Sequence, residues 1–253
     1  ETRVWRAKSN IRLGNDELAI ETMLLLLDVL DEAENVPARI IEEANTTMAM
    51  AYSQTDTISK AIHYLKKATE TSYNKEQTGR NMFVLGQIYN ELNQKDSARM
   101  VFEKLANTRR MPDKYRVHAN IELAKSYAKD STDISLVKRF KKLIKDTDNR
   151  KYYDELYYQL GVLYQGRNEI HKAVEAYKKS LKAKNGSDYQ KTYTYERLGN
   201  IYFNKSDYLL AENYYDSVIQ VVPKLYENEK RIRRIKRKNK GLTSLKKYED
   251  IIY

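Results

Sequence analysis

Apolar residues recur along this chain at three- and four-residue intervals, interrupted by short polar turns. That spacing puts the apolar side chains on one face of an α-helix. Residues 2–33 show it first. Val4, Trp5, Ala7 and Ile11 share one face, and Ala19, Met23, Leu26, Leu27 and Leu30 resume the stripe. Between them Leu13-Gly14-Asn15-Asp16 reads as a turn, with Gly14 as a helix stop and Asn15 or Asp16 as the next cap. Pro37 then breaks the chain. Five further helical pairs follow, starting at residues 42, 79, 117, 154 and 192 and stepping by 37 or 38. All three prolines (Pro37, Pro112, Pro223) fall after the second helix of a pair, where they damage no helix interior.

Within these pairs one set of residues recurs. From 154 it is Tyr157, Leu160-Gly161, Tyr164, Ala173 and Tyr177; from 192 it is Tyr195, Leu198-Gly199, Tyr202, Ala211, Tyr215 and a closing Pro223. Residues 79–112 carry Leu85-Gly86, Tyr89, Ala98, Phe102 and Pro112. Residues 42–75 carry Met48-Ala49, Tyr52, Ala61, Leu65 and Ala68, with Thr55 and Asp56 as caps between the helices. The copy at 117–150 is the weakest. Leu123-Ala124, Tyr127 and Phe140 fit, but Leu136 stands where a small Ala is expected, which predicts a splayed or shifted helix pair. The pattern resembles the tetratricopeptide (TPR) repeat, a pair of antiparallel helices A and B. Gly and Ala sit where A and B cross closely, and the aromatics fill the space around them. The resemblance implies an all-α, right-handed TPR solenoid of about six helix pairs in which each unit packs on its neighbours.

The array spans residues 1–223, with a divergent first pair at 1–36, and 224–253 form a basic C-terminal helical extension that acts as a capping helix. Ile232, Ile235 and the Tyr226 stem are placed to cover the last B helix, with the Arg/Lys face in water. Gly241 is expected to break this helix before Leu242, Leu245, Tyr248, Ile251 and Ile252 begin another. The formal net charge of +11 changes little elsewhere. Residues 224–247 hold eleven Lys/Arg against Glu227 and Glu229, so the rest of the chain carries only about +2. The basic patch is Lys230, Arg231, Arg233, Arg234, Lys236, Arg237 and Lys238. It has three readings: a solvated helix face, a surface for an acidic protein or an anionic membrane, or a nucleic-acid contact. The last is disfavoured because no aromatic stacking platform interleaves the charges.

The sequence points away from catalysis. The absence of Cys rules out disulfides, thiol nucleophiles and Cys-ligated zinc. His63, His118 and His171 lie in three different repeats without metal-ligand spacing, and no Gly-rich phosphate loop is present. No catalytic, cofactor-binding or metal-binding residues are assigned and no cofactor is expected. The longest apolar run, Met23 to Leu27, is far short of a membrane span. The chain begins at Glu1 without Met and reads as a piece of something longer.

In TPR arrays positions 2, 5, 9, 12 and 13 of each A helix line a concave binding face. Here these are Arg80, Phe83, Gln87, Asn90 and Glu91; then His118, Ile121, Lys125, Ala128 and Lys129. Next come Glu155, Tyr158, Val162, Gln165 and Gly166, and then Tyr193, Glu196, Asn200, Phe203 and Asn204. Exposed aromatics beside amides suit a peptide-binding surface. The alternative is that Phe83, Tyr158 and Phe203 pack on neighbouring helices. A carboxylate clamp of the chaperone-binding kind is not expected, because Glu196 has the wrong charge at position 5 beside Asn200.

The stretches at 152–161 (Tyr-Tyr-Asp-Glu-Leu-Tyr-Tyr-Gln-Leu-Gly), 211–218 and 241–252 are similar to the large TPR lipoproteins of Bacteroidota gliding motility and type IX secretion (the SprE/PorW type). That resemblance implies a non-catalytic protein-interaction scaffold on the periplasmic side of the outer membrane, linking envelope secretion or motility components. Membrane contact would come only through a lipid anchor outside these residues. The alternative is a TPR sensor or adaptor module of a regulatory protein, which would be cytoplasmic and bind a peptide segment.

Overall fold

The computed structural model describes residues 1–127 and 134–252, with side chains described for 1–126 and 135–243. Those residues form thirteen α-helices and short 3₁₀ turns, with no strand among them. They divide into two compact units, Glu1–Ser126 and Tyr127–Tyr253. The first holds α1 (Thr2–Arg12), α2 (Asp16–Glu32), α3 (Ala38–Tyr52), α4 (Ala61–Thr71), α5 (Lys75–Glu91), α6 (Lys95–Asn107) and nearly all of α7 (Asp113–Tyr127). The second holds α8 (Ile134–Lys145), α9 (Tyr153–Gly166), α10 (Ile170–Leu181), α11 (Asp188–Asn204), α12 (Tyr208–Val221) and α13 (Lys230–Ile252). The division falls inside the weakest copy. Its connection at 128–133, with Ala128, Lys129 and the expected splay, lies outside the described residues. Leu136, in the place of the small Ala, is buried.

Within each unit the pairs α1/α2, α3/α4, α5/α6, α9/α10 and α11/α12 pack as hairpins. The recurrent Gly explains how. A Cβ on Gly86, Gly161 or Gly199 would lie 2.6, 2.5 and 2.6 Å from the rings of Phe102, Tyr177 and Tyr215 respectively. The glycine therefore makes room for a fully buried aromatic ring of helix B rather than for its backbone. Ala98, Ala173 and Ala211 are buried beside them. The turn from A to B is also repeated. Asn93, Asn168 and Ser206 adopt φ of 58°, 60° and 60° at the same place in three copies. Asn enters this left-handed region more readily than most residues. The residues beyond the 34 of a minimal repeat lie in the connections, notably 182–187 and 222–229.

Two expectations are corrected. Trp5 does not join the buried face of α1. It is 59% exposed with Lys8 Nζ 5.0 Å from its ring, while Val4 and Ala7 are buried. Gly241 does not break the chain, because α13 runs through it without interruption. A glycine weakens a helix by only about 1 kcal/mol relative to Ala, too little to end one held by packing on one side.

Candidate functional site

Within each unit, polar bonds tie A helices together near their N-terminal ends. Glu42, buried on α3, accepts from the backbone N–H of Asn74 (2.9 Å) and the hydroxyl of Thr78 (2.8 Å) at the start of α5. Asn81 Nδ2 donates to Thr46 Oγ1 (2.7 Å) across the same pair. On α5, Glu76 holds both Lys114 and the Tyr115 hydroxyl of α7. In the second unit Asp154 accepts from the N–H of Ser187 (3.3 Å), the residue that caps α11. Burial pushes the Asp154 carboxyl above its ordinary value. These bonds fix the spacing of adjacent A helices and so the surface they present.

On the first unit's A-helix face, Arg80, Gln87, Asn90 and Glu91 are exposed, as is Lys125, which pairs with Glu122. Phe83 is half-buried. Its ring lies 5.6 Å from Phe102, 6.5 Å from Tyr115 and 6.2 Å from His118, so it binds three helices together. Ile121, assigned to this face, is buried instead. A set that the sequence reading passed over completes the surface. Positions 2, 5, 9, 12 and 13 of the copy at 42 are Glu43, Thr46, Met50, Ser53 and Gln54. Thr46, Met50, Ser53 and Gln54 border a cavity of about 180 Å³ with Gln77, Arg80 and Asn81. The position rule applied one repeat earlier finds them.

On the second unit, Tyr158 is half-buried, its ring 5.8 Å from the buried Tyr177. Tyr177 sends its hydroxyl to Gln165 Oε1 (2.9 Å), and Tyr215 does the same to Asn200 Oδ1 (2.8 Å). Burial pushes the Tyr215 phenol up to about 12, so it stays a donor. Each amide thus spends its oxygen on a ring of its own pair. Glu155 and Val162 are half-buried, Gly166 and Asn204 exposed, and Phe203 is 37% exposed with Lys238 Nζ 5.4 Å from its ring.

The basic patch splits into two faces. Arg231 donates to Glu196 Oε2 (2.9 Å) and Thr192 Oγ1 (2.8 Å), and its guanidinium lies 3.9 Å from the Tyr193 ring centroid. Arg234 reaches the other Glu196 oxygen (3.4 Å), and Lys238 donates to Asn200 Oδ1 (3.2 Å). Tyr193, Glu196 and Asn200 therefore meet α13 first. Lys230, Arg233, Lys236 and Arg237 are exposed on the other side. Ile232, Ile235 and Leu242 bury the remaining face in one cluster with Tyr215, Val218 and Val222. The signal was in the sequence. Stepping 38 residues from 192 reaches 230, and positions 2, 5 and 9 of that frame are Arg231, Arg234 and Lys238. The α13 helix takes the place that the A helix of a next repeat would take, and Glu196 carries the charge that Arg231 requires.

Among the described residues no group of three or more His, Asp or Glu is placed to hold a metal ion, and no helix is long and apolar enough to cross a membrane.

Comparison with known proteins agrees with this geometry. The sequence model of the tetratricopeptide repeat family matches residues 42–75, 79–109, 154–186 and 192–224. Nothing among curated protein sequences matches the chain. Among solved structures, PilF of Pseudomonas aeruginosa is similar at TM-score 0.59 and 14% identity, covering 93% of this chain and 95% of that one. The C-terminal part of a TPR repeat-containing protein from Cytophaga hutchinsonii is similar at 0.55 and 16%, covering 94% and 92%. MamA from Desulfovibrio magneticus RS-1 is similar at 0.52 and 16%, covering 72% and 94%. At these identities the likeness is one of fold.

Proposed function

The chain belongs to the tetratricopeptide repeat family, whose repeats make protein-interaction scaffolds, and on that premise we propose that it is a non-catalytic scaffold whose A-helix faces hold a segment of a partner protein. One observation carries the reading. The A-helix faces keep Gln87, Asn90, Asn204 and part of Phe203 open above cores in which the aromatics of the B helices are locked. A surface fixed in this way loses little ordering entropy when a chain binds to it. Gln165 adds an amide donor already oriented by the Tyr177 hydroxyl.

The finer proposal is that the protein links parts of the type IX secretion and gliding-motility machinery from the periplasmic side of the outer membrane, held by a lipid anchor outside these residues. It is supported by the stretches at 152–161, 211–218 and 241–252 and their similarity to the lipoproteins of that machinery. The test uses the protein as bait on detergent-solubilised envelopes of a gliding Bacteroidota species. Bound proteins are identified by mass spectrometry against a variant carrying Gln87→Ala, Asn90→Ala and Phe203→Ala. Secretion or motility components retained by the parent and lost by the variant are the expected outcome. Equal retention by both would remove the A-helix faces from the account. Retention of ribosomal proteins and RNA alone, released by salt, would leave only electrostatics of the basic helix.

A further inference from the structure

A second recess lies between two B helices, α8 and α10, where they flank α9. It measures about 390 Å³, with Ile144, Leu160 and Ala176 among its lining and Tyr157 and Tyr164 in its walls. The repeat frame explains why it exists. Two other copies carry a Tyr at position 23 that stacks on the Tyr at position 11. Tyr64 lies on Tyr52 at 5.7 Å and 12°, and Tyr214 lies on Tyr202 at 5.5 Å and 15°. In the copy starting at 154, position 11 is Tyr164 but position 23 is Ala176. One ring is missing from the stack, and the recess borders Tyr164 and Ala176, both of which stay largely buried. Cations surround it instead. Lys141 Nζ lies 6.0 Å and Lys172 Nζ 5.8 Å from the Tyr164 ring, and Lys179 Nζ lies 6.0 Å from the Tyr157 ring. Lys172 is engaged by Glu169. Lys141 and Lys179 have no carboxylate within salt-bridge distance among the described residues. The lining is cationic on balance, with Lys141, Lys172 and Lys179 against Glu175.

We propose that this recess is a docking site for an acidic segment of a partner protein, whose aromatic side chain stacks on Tyr164 in the place of the missing ring. Carboxylates flanking that aromatic pair with Lys141 and Lys179. An apolar floor between ammonium groups on separate helices rejects a small inorganic anion, which needs converging donors. A recess of this volume holds one large side chain and its flanks, not a whole helix. The site is separate from the A-helix face, so the scaffold has two places for partners.

The experiment measures fluorescence anisotropy of the labelled peptide Glu-Asp-Phe-Asp-Glu at low ionic strength. Controls are the same peptide with Phe replaced by Ala, and with its acids replaced by amides. Three variants are compared. Ala176→Tyr restores the ring found in the neighbouring repeat and should weaken binding at least tenfold without lowering the melting temperature. Lys141→Glu combined with Lys179→Glu, both exposed, should weaken it as much and keeps the test open if the first variant folds poorly. Phe203→Ala with Asn200→Ala should leave it unchanged. Each control peptide should bind at least tenfold more weakly than the parent. The proposal fails if the Ala176→Tyr protein binds equally well, or if the amide peptide binds as tightly. It also fails if nothing binds at about 1 mM, a concentration that detects even weak complexes. Loss of binding only in the Phe203/Asn200 variant would overturn the recess and leave the A-helix reading standing.

Discussion

Glycine plays opposite parts at two kinds of position in this chain. At Gly161 and Gly199 a methyl group would meet the buried rings of Tyr177 and Tyr215, at 2.5 and 2.6 Å. Those rings are packed on every side and their hydroxyls are bonded across to α9 and α11. Gly199→Ala should therefore destabilise by about 1–3 kcal/mol, the usual cost of overpacking, despite the better helix propensity of Ala. At Gly241 nothing lies within 4 Å of the added methyl. Gly241→Ala should stabilise by up to about 1 kcal/mol. Thermal melts of the two variants should shift in opposite directions, and a shared direction would mean the glycines are not distinguished by packing. Leu198, fully buried beside Gly199, should cost about 2–5 kcal/mol when cut to Ala. Asp154 gives a pH signature. Its pKa is raised by burial above the ordinary 3.8, so the folded state binds the proton more tightly than the unfolded chain does. Its contribution to stability is therefore present at low pH and is lost as pH rises through the interval from 3.8 to the raised value. Subtracting the stability curve of Asp154→Asn from that of the parent should show a fall across this interval. A rise would mean that the Ser187 N–H holds the ionised form more strongly than burial opposes it.

At the scale of the helix, the contrast is between what a helix does with its own partner and what it does with the next pair. The repeated Leu-Gly, Ala and aromatic positions describe the contact of helix A with helix B of the same pair. They are steric requirements on particular residues, which is why the copies at 42, 79, 154 and 192 are legible in the sequence. Burial on the A-helix face depends instead on which neighbouring helix lies alongside. That information is spread over residues 32 to 40 positions apart, as with Asn74 to Glu42 and Glu229 to Tyr189. Position alone places Phe83, Ile121 and Tyr193 on the binding face, but Ile121 is buried and neighbouring helices lie against Phe83 and Tyr193. The α13 helix escapes the repeat pattern because its described residues pack on α12 and α11, while Arg233, Lys236 and Arg237 stand where the signature would be. The two basic faces should respond differently to mutation. Arg231→Ala leaves Glu196 half-buried with only the long contact to Arg234, and should cost about 3 kcal/mol, the low end for breaking a buried pair. Arg233→Ala, at an exposed position, should stay within about 0.5 kcal/mol. Equal effects in urea titrations would mean that α13 does not dock in this register.

At the scale of the molecule, charge and surface are divided unevenly. Lys/Arg and Asp/Glu balance over residues 1–126, so the whole formal +11 belongs to residues 127–253. Salt should therefore weaken any partner of the second unit more than a partner confined to the first. The central claim is that the A-helix faces carry the partner. Site-specific photo-crosslinking tests it most directly, with a photoreactive residue placed in turn at Gln87, Asn90 and Phe203 on those faces and at Met100, which is 72% exposed on the B helix α6. Each protein is irradiated in envelopes of a gliding Bacteroidota species. The account predicts one discrete adduct shared by the A-helix positions and absent at Met100. Adducts at Met100 alone, or equally at every position, would contradict it.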